Sequence, residues 1–254
     1  MSVPTTSKIN SLVHSKYAGG LMFSEWLNKE GYSKQLLQKY RTTGWIKTVC
    51  RGVMAMHDTT QNALVSLACY NEQLGKRCRV AAHSALELAG FNHYVPMGKP
   101  TLMVACTDNV VPTWMKSDQF DRSFVPFSTE AFPKPSTTLY RIGDYELLMS
   151  SPEQAFMECL LLAPKRYTLM DLFYIMEQLT SMRPDVVQSL LETSTNYKVK
   201  RLFLYMAEKA NHYWVEMLDK SRIDLGTSKM QMVKGGVYIS QYKITIPKEL
   251  YDYE

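Results

Sequence analysis

The sequence lacks the long apolar runs that a membrane-spanning helix requires. Its apolar runs are short, such as residues 160–163, whereas a bilayer span needs about 20 consecutive apolar residues. Residues 1–7 contain no apolar stretch of the kind found in secretory signal peptides. The chain of 254 residues is nevertheless 46% hydrophobic, enough to bury a substantial core. We therefore expect a cytoplasmic protein, with no membrane partner, of one large domain or two ordinary ones.

Motifs for metal binding and catalysis are also missing from the sequence. The five cysteines are odd in number and include no Cys-x-x-Cys pair, and no two histidines have the i, i+4 spacing of a helical metal site. We find no glycine-rich phosphate loop, no G-x-S-x-G nucleophile motif and no H-E-x-x-H zinc motif. The sequence therefore predicts reduced, structural thiols, no metal, no cofactor and no catalytic residues; that is, a protein that is not an enzyme.

Positive charge is concentrated at the start of the chain. Residues 1–56 contain eight basic and two acidic side chains, a net charge of +6, although the whole chain carries only +5. The remaining residues are nearly neutral, with a net charge of −1. A basic segment attached to a near-neutral body is typical of proteins that bind nucleic-acid phosphates.

Residues 1–57 have the pattern of a winged helix-turn-helix. Three helices are expected, over residues 5–16, 23–30 and 33–43. Gly31 ends the second helix, Ser33 caps the third, and Gly44 closes it. Two short helices joined by a tight turn containing glycine are typical of the helix-turn-helix motif. The β-prone stretch 45–56 turns at Arg51-Gly52 and predicts a two-stranded wing.

The third helix has one apolar face and one polar face. At helical spacing, Leu36, Leu37 and Tyr40 lie together, while the opposite arc holds three cations and no acid. Lysine, arginine, glutamine and threonine side chains can reach base and phosphate acceptors in a major groove. The DNA-binding residues predicted from this pattern, including two in the wing, are Ser33, Lys34, Gln35, Gln38, Lys39, Arg41, Thr42, Lys47 and Arg51.

Different tasks are expected within this set. Of the helix residues, Lys34, Gln35, Gln38 and Arg41 are expected to read bases. Lys39, together with Lys47 and Arg51 on or near the tip of the wing, is expected to hold phosphates. The alternative is a small helical domain that binds another protein, although a solvated helix face would usually mix glutamate with lysine.

The rest of the chain predicts a larger domain of mixed α+β structure, so the fold class is α+β. A connecting helix is expected within residues 58–75, followed by an α+β domain over 76–254. Within that domain, Ser151-Pro152 marks a helix start. The expected helices cover about 152–163, 168–180, 184–195 and 198–210, and the alternating segment 229–246 predicts a terminal hairpin.

A basic cluster near the start of the last of these helices suggests a second charged surface. Lys198, Lys200 and Arg201 oppose the helix dipole, at a typical cost of about 0.3–1 kcal/mol each. Because the sequence accepts that cost, we predict that these cations are used in a functional surface, with Arg222 and Lys234 joining it. The alternative is that they are charged side chains whose stems cover the core.

Several segments, in order, make the sequence similar to the AbiEi family, the antitoxins and transcriptional regulators of type IV toxin–antitoxin (abortive infection) systems. The resemblance covers nearly the whole chain. The segments that carry it are 44–46 with 51–53, 84–88, 151–155, 198–205, 222–226 and 233–236, which read GWI with RGV, SALEL, SPEQA, KVKRLFLY, RIDLG and VKGG.

The resemblance implies a function that composition and spacing do not. It implies an N-terminal domain that represses its own operon by binding inverted repeats in double-stranded DNA, and a C-terminal domain that counters a nucleotidyltransferase-like toxin of the AbiEii type. A stable complex with that toxin is not required, because the antitoxin can act on the toxin's target instead. With this role, Lys198, Lys200 and Arg201 are expected to serve DNA holding, antitoxicity or both. We expect a monomer that pairs on DNA. Two other hypotheses stay open, a nucleic-acid-processing enzyme with a winged helix for docking and a ligand-sensing transcription factor with no antitoxin role.

Overall fold

A computed structural model of the chain describes residues 8–91, 98–106 and 111–253. The chain divides into two compact units. Unit 1 comprises residues 1–79, 96–127 and 139–148, and unit 2 comprises residues 80–95, 128–138 and 149–254. Helices and strands are mixed throughout, so the predicted α+β class is confirmed. Among the helices described, none is long and apolar enough to cross a membrane.

The N-terminal part of unit 1 contains three short helices and a small antiparallel sheet. Its elements are α1 (Lys8–Val13), a 3₁₀ helix (Lys16–Gly19), β1 (Met22–Phe23), α2 (Ser24–Lys29), α3 (Lys34–Thr42), β2 (Ile46–Cys50) and β3 (Val53–Met56). The strand order is β1-β3-β2. Residues 5–7 of the predicted first helix lie outside the described residues. That helix ends at Val13 instead of residue 16, because Ser15 turns back and its hydroxyl donates to the Leu12 carbonyl at 2.8 Å.

One apolar cluster holds these elements together. It draws at least one buried side chain from each of α1, α2, α3 and the three strands, as expected when each element has one apolar face. Its buried members are Leu12, Met22, Leu27, Tyr32, Leu37, Tyr40, Ile46 and Met54. The backs of α3 and of the hairpin are therefore fixed by packing, and their other faces remain available.

The predicted connecting helix is α4 (Ala63–Leu74), and two amide side chains tie it to its neighbours in unit 1. The Gln73 amide accepts from Phe23 N at 2.9 Å and donates to Leu21 O at 2.8 Å. Asn71 bonds both backbone groups of Cys78 in the same way, at 2.7 and 3.0 Å. The Gln73 bonds hold α4 against β1, the strand that leads into α2, and the Asn71 bonds fix the chain just after α4.

A five-stranded sheet has the order β6-β5-β4-β8-β7. Its strands are β4 (Cys78–Val80), β5 (Thr101–Cys106), β6 (Ser123–Phe127), β7 (Thr137–Ile142) and β8 (Tyr145–Ser150). Cys78 and Cys106 form a disulfide, so the expectation that every cysteine is a reduced thiol is wrong for this pair. The two residues are 28 apart in the sequence, and only the neighbouring positions of β4 and β5 bring them together.

Unit 2 is mainly helical, with a small sheet that precedes its last helix. Its elements are α5 (Ala82–Leu88), α6 (Pro152–Leu162), α7 (Leu169–Gln178), α8 (Pro184–Thr193), α9 (Tyr197–Lys209), β9 (Met230–Gln231), β10 (Val237–Ile239), β11 (Ile244–Ile246) and α10 (Lys248–Asp252). The four predicted helices agree with α6 to α9 to within two residues at each end. The terminal hairpin is confirmed as β10 and β11, and β9 adds a parallel strand beside β11.

Candidate nucleic-acid interface

Local sequence signals define α3. The Ser33 hydroxyl accepts from the backbone N–H of Leu36 at 3.2 Å, which satisfies one free donor of the first turn. The helix begins at Lys34 and ends at Thr42, one residue earlier than predicted. Gly44 follows with a positive φ of 75°, which turns the chain into β2. The predicted cap and the glycine stop are both confirmed.

The two faces of α3 differ as the sequence predicts. Leu37 and Tyr40 are buried against the core, and Leu36 is half-buried. The polar residues of the helix are all exposed: Lys34, Gln35, Gln38, Lys39, Arg41 and Thr42.

Among the described residues, no acid neutralises this exposed face of α3. Lys34, Lys39 and Arg41 form no ion pair with any part of the chain that the structure describes. In α2, by contrast, Lys29 pairs with Glu25 at 3.0 Å. The exposed face of α3 is therefore a positively charged surface with neutral hydrogen-bonding groups between the charges.

A tight turn at the tip of the hairpin places Arg51 in solvent. Gly52 adopts a φ of 79°, and its carbonyl accepts from the backbone N–H of Ser24 at 2.9 Å, so the turn is fixed to the start of α2. Arg51 is exposed at this tip, as expected.

Lys47 does not lie at the tip, so its expected position is wrong. It lies near the start of β2, opposite Ala55 of β3. It is half-buried there, and its ammonium donates to the Thr59 carbonyl at 3.0 Å. The strand is long enough to separate Lys47 from the turn, and a backbone acceptor already holds its charge. A phosphate contact by Lys47 stays a prediction.

A groove of about 200 Å³ lies between α2, α3 and the hairpin. Its lining residues are Ser24, Asn28, Lys34, Leu37, Arg41, Thr48, Cys50, Gly52 and Met54. Sequence reasoning missed Ser24, Asn28, Thr48 and Cys50 as candidate site residues. Their signal is weak, since small polar residues one turn apart on α2 and two apart on β2 become neighbours only through the tertiary packing of α2 on the hairpin.

Two residues of the predicted basic surface of unit 2, Lys200 and Arg201, are buried. Arg201 is 1% exposed, and its guanidinium donates to three backbone carbonyls, those of Leu225 at 2.7 Å, Ser228 at 2.8 Å and Lys243 at 3.1 Å. Lys200 is 3% exposed, and burial lowers the pKa of its ammonium. These two cations cannot contact DNA or another macromolecule in this structure, which corrects the prediction.

Of the other three residues of this predicted surface, Lys198 and Arg222 are bonded to other groups, and Lys234 lies on a different segment of the chain. Lys198 is half-buried and donates to the carbonyls of Leu161 at 2.8 Å and Ala163 at 2.6 Å, and burial lowers the pKa of its ammonium. Arg222 pairs with Glu192 at 3.0 Å. Lys234 is exposed on the segment between β9 and β10. Lys198 and Arg201 thus bind backbone carbonyls, and Lys200 is buried. This agrees with the alternative prediction, in which the side chains of these residues cover the core.

Two family models match this chain, and they agree with each other. Residues 5–97 match a family model described as "Transcriptional regulator, AbiEi antitoxin N-terminal domain". Residues 100–247 match one described as "Transcriptional regulator, AbiEi antitoxin, Type IV TA system". The crystal structure of the Rv2827c protein from Mycobacterium tuberculosis is similar, with a TM-score of 0.62 over 94% of this chain and 89% of that chain; at 11% identity, this likeness shows the fold alone. No curated protein matches the chain.

Proposed function

Because the chain belongs to the AbiEi family of antitoxins and transcriptional regulators of type IV toxin–antitoxin systems, we propose that it is a DNA-binding autorepressor. The observation that carries this proposal is the exposed face of α3, over a buried apolar back. This face has two glutamines, no acid, and three cations that form no ion pair with any described residue. A helix of this kind fits the major groove of B-form DNA, which is about 12 Å wide and lined with base acceptors and donors.

The elements around α3 support a winged helix-turn-helix. Helix α2 and α3 are joined by a short turn through Gly31, and the hairpin of β2 and β3 follows directly. In helix-turn-helix proteins the second helix enters the major groove while the first crosses the backbone. We infer that α3 is the recognition helix and that Arg51, at the tip of the hairpin, reaches the sugar–phosphate backbone beside it.

The operator is expected to contain inverted repeats upstream of the gene. Two copies of a helix-turn-helix protein bind half-sites that are about 34–36 Å apart, one turn of the duplex, so that the two-fold axis of the DNA relates the two copies. We propose a monomer in solution that pairs on this operator. A footprint on the upstream DNA with two protected half-sites, and a stoichiometry of two chains per operator, tests this part of the proposal.

The antitoxin activity is proposed for the larger domain predicted over residues 76–254. It counters a nucleotidyltransferase-like toxin of the AbiEii type encoded beside it, and no stable complex with that toxin is needed for protection. The support is the family description, which covers residues 100–247. The test is growth of cells that express the neighbouring reading frame, with and without this protein. Protection by a chain that carries Lys34→Ala and Arg41→Ala would separate antitoxin activity from DNA binding.

Binding of the purified protein to the upstream DNA tests the repressor proposal. Lys34→Ala with Arg41→Ala should weaken binding at least tenfold, because two of the unpaired cations on α3 are removed. The matched control is Lys134→Ala with Arg166→Ala, which removes one exposed lysine and one exposed arginine from unit 2. Unchanged binding by the α3 variant, or an equal loss in the control, would contradict the assignment of α3.

A further inference from the structure

The groove between α2, α3 and the hairpin divides the polar face of α3 into two parts. Lys34 and Arg41 line the groove, whereas Gln35 and Gln38 do not. The helical projection explains this division. With about 100° per residue and Lys34 at zero, Arg41 lies at about 340°, beside the buried Leu37 at about 300°. The other polar residues of α3 lie between about 40° and 140°, on the side away from the groove.

The chemistry of the groove fits an anion. Two cations line it, together with hydroxyls of Ser24 and Thr48 and the amide of Asn28. None of the residues that line it is a carboxylate. All these groups can donate hydrogen bonds to a phosphate oxygen, and bonds from the charged donors are about twice as strong as neutral ones.

The size of the groove favours a phosphate over an organic ligand. Its volume of about 200 Å³ equals that of roughly six or seven water molecules in the liquid. Pockets for small organic ligands are usually larger, about 300–1,000 Å³. A groove this small, lined by two cations and no carboxylate and bounded by α2, α3 and the hairpin, suits a chain of phosphodiester groups that passes across it.

We propose that this groove is the binding site for the DNA sugar–phosphate backbone, and that Gln35 and Gln38 are the residues that read bases. The inference rests on the proposed DNA binding and changes the roles within α3, because Lys34 and Arg41 hold phosphates instead of bases. Glutamine makes paired hydrogen bonds with the N6 and N7 atoms of adenine, so the half-site should contain adenines under α3.

A cysteine in the groove provides a direct test. Cys50 lines the groove and is a free, half-buried thiol, whereas the other free cysteines that the structure describes, Cys69 and Cys159, are buried. Burial also raises the pKa of the Cys69 thiol to about 11, which suppresses its thiolate. Iodoacetamide should therefore alkylate Cys50 first, with the thiolate sulfur displacing iodide to form a thioether.

DNA should protect Cys50 from this alkylation. A parallel binding assay establishes that the upstream DNA is at saturation. Under that condition, the alkylation of Cys50 by iodoacetamide should slow at least tenfold. Mass spectrometry of the peptide that contains Cys50 measures the rate. A Lys134→Cys variant supplies an exposed control thiol, whose labelling DNA should leave unchanged. Bound DNA with no protection of Cys50 would overturn the groove inference while DNA binding itself stands. A failure to bind the upstream DNA at all would overturn both.

Salt dependence and sequence discrimination test the two sets of α3 residues separately. Lys34→Ala with Arg41→Ala should lower the slope of log K against log salt by about 1.8, because each phosphate contact contributes about 0.9. This double variant should weaken binding to operator DNA and to scrambled DNA by the same factor. Gln35→Ala with Gln38→Ala should keep the slope and reduce the preference for operator by about 5- to 150-fold for each paired base contact. The reverse pattern, with discrimination lost in the Lys34 and Arg41 variant, would overturn the assignment.

Discussion

Replacement of Arg201 by methionine tests whether a buried cation in α9 stabilises unit 2 or serves a functional surface. The guanidinium is 1% exposed and donates to the carbonyls of Leu225, Ser228 and Lys243. Those acceptors lie in the segment before β9 and in the turn between β10 and β11. One side chain therefore fixes two irregular segments to α9. Methionine keeps the apolar stem of the residue and removes all three bonds.

The expected loss of stability follows from the three hydrogen bonds of the Arg201 guanidinium. A hydrogen bond to a charged group contributes about 1.5–3 kcal/mol, so three would give about 4.5–9 kcal/mol if all were lost without compensation. Ser228 is exposed, and Leu225 and Lys243 are half-buried, so water can replace part of each bond. We expect Arg201→Met to lower the free energy of unfolding by about 3–5 kcal/mol, similar to the loss when one partner of a buried charge interaction is removed.

Urea denaturation followed by circular dichroism and tryptophan fluorescence measures this change. For a chain of this size, the loss corresponds to a fall in Tm of about 6–20 °C. Arg222→Met is the matched control, because that side chain is 62% exposed and makes a surface ion pair with Glu192, which contributes at most about 1 kcal/mol. If Arg201→Met unfolds like the wild type while DNA binding or protection from the toxin is lost, the structural role of Arg201 is refuted.

Three further predictions concern stability. Gly52→Ala should cost about 1–2 kcal/mol in thermal unfolding, because φ at this position is 79° and L-residues are strained there; no loss would show that the hairpin tip relaxes. Burial raises the pKa of the Glu153 carboxyl, but hydrogen bonds from Arg183 lower it more, so the net folded-state pKa is lowered. The stability advantage of the wild type over Glu153→Gln should therefore be present above about pH 4.3 and disappear as the pH falls through the lower folded-state value; a pH-independent difference in urea titrations would contradict this. Replacing Cys78 and Cys106 by serine should cost about 3–4 kcal/mol, from the closure entropy of a 28-residue loop, and reductant should shift the urea midpoint of the wild type but not of this variant.

The sequence was sufficient for α3 because its signals are local. The hydroxyl of Ser33, the apolar spacing of Leu36, Leu37 and Tyr40, and the stop at Gly44 all act within one or two turns. The predicted bounds therefore agree with the structure to within one residue. Local signals of the same kind explain why the predicted bounds of α6 to α9 agree with the structure to within two residues.

Features that depend on strand neighbours could not be predicted in this way. The disulfide between Cys78 and Cys106 exists because β4 lies beside β5, and no spacing rule connects two cysteines 28 residues apart. The groove of α3 is a similar case. Lys34 is identifiable as a surface cation from the sequence, but its position beside Thr48 and Cys50 depends on how the hairpin packs.

Charge counting predicts the wrong surface at α9, because it treats every cation as a surface cation and ignores where each cation lies on its helix. With Tyr197 at zero and about 100° per residue, apolar side chains of α9 occur on nearly every side of the helix, which is typical of a buried helix. Arg201, at about 40°, has Tyr197 at zero, Leu204 at about 340° and Tyr205 at about 80° around it. The acid of the helix, Glu208, lies at about 20°. In α3, by contrast, the cations fall in a continuous polar arc with no apolar residue inside it. The position of a cation relative to the apolar residues of its own helix, more than the local count of charges, therefore distinguishes a DNA-facing lysine or arginine from one that binds backbone carbonyls in a core.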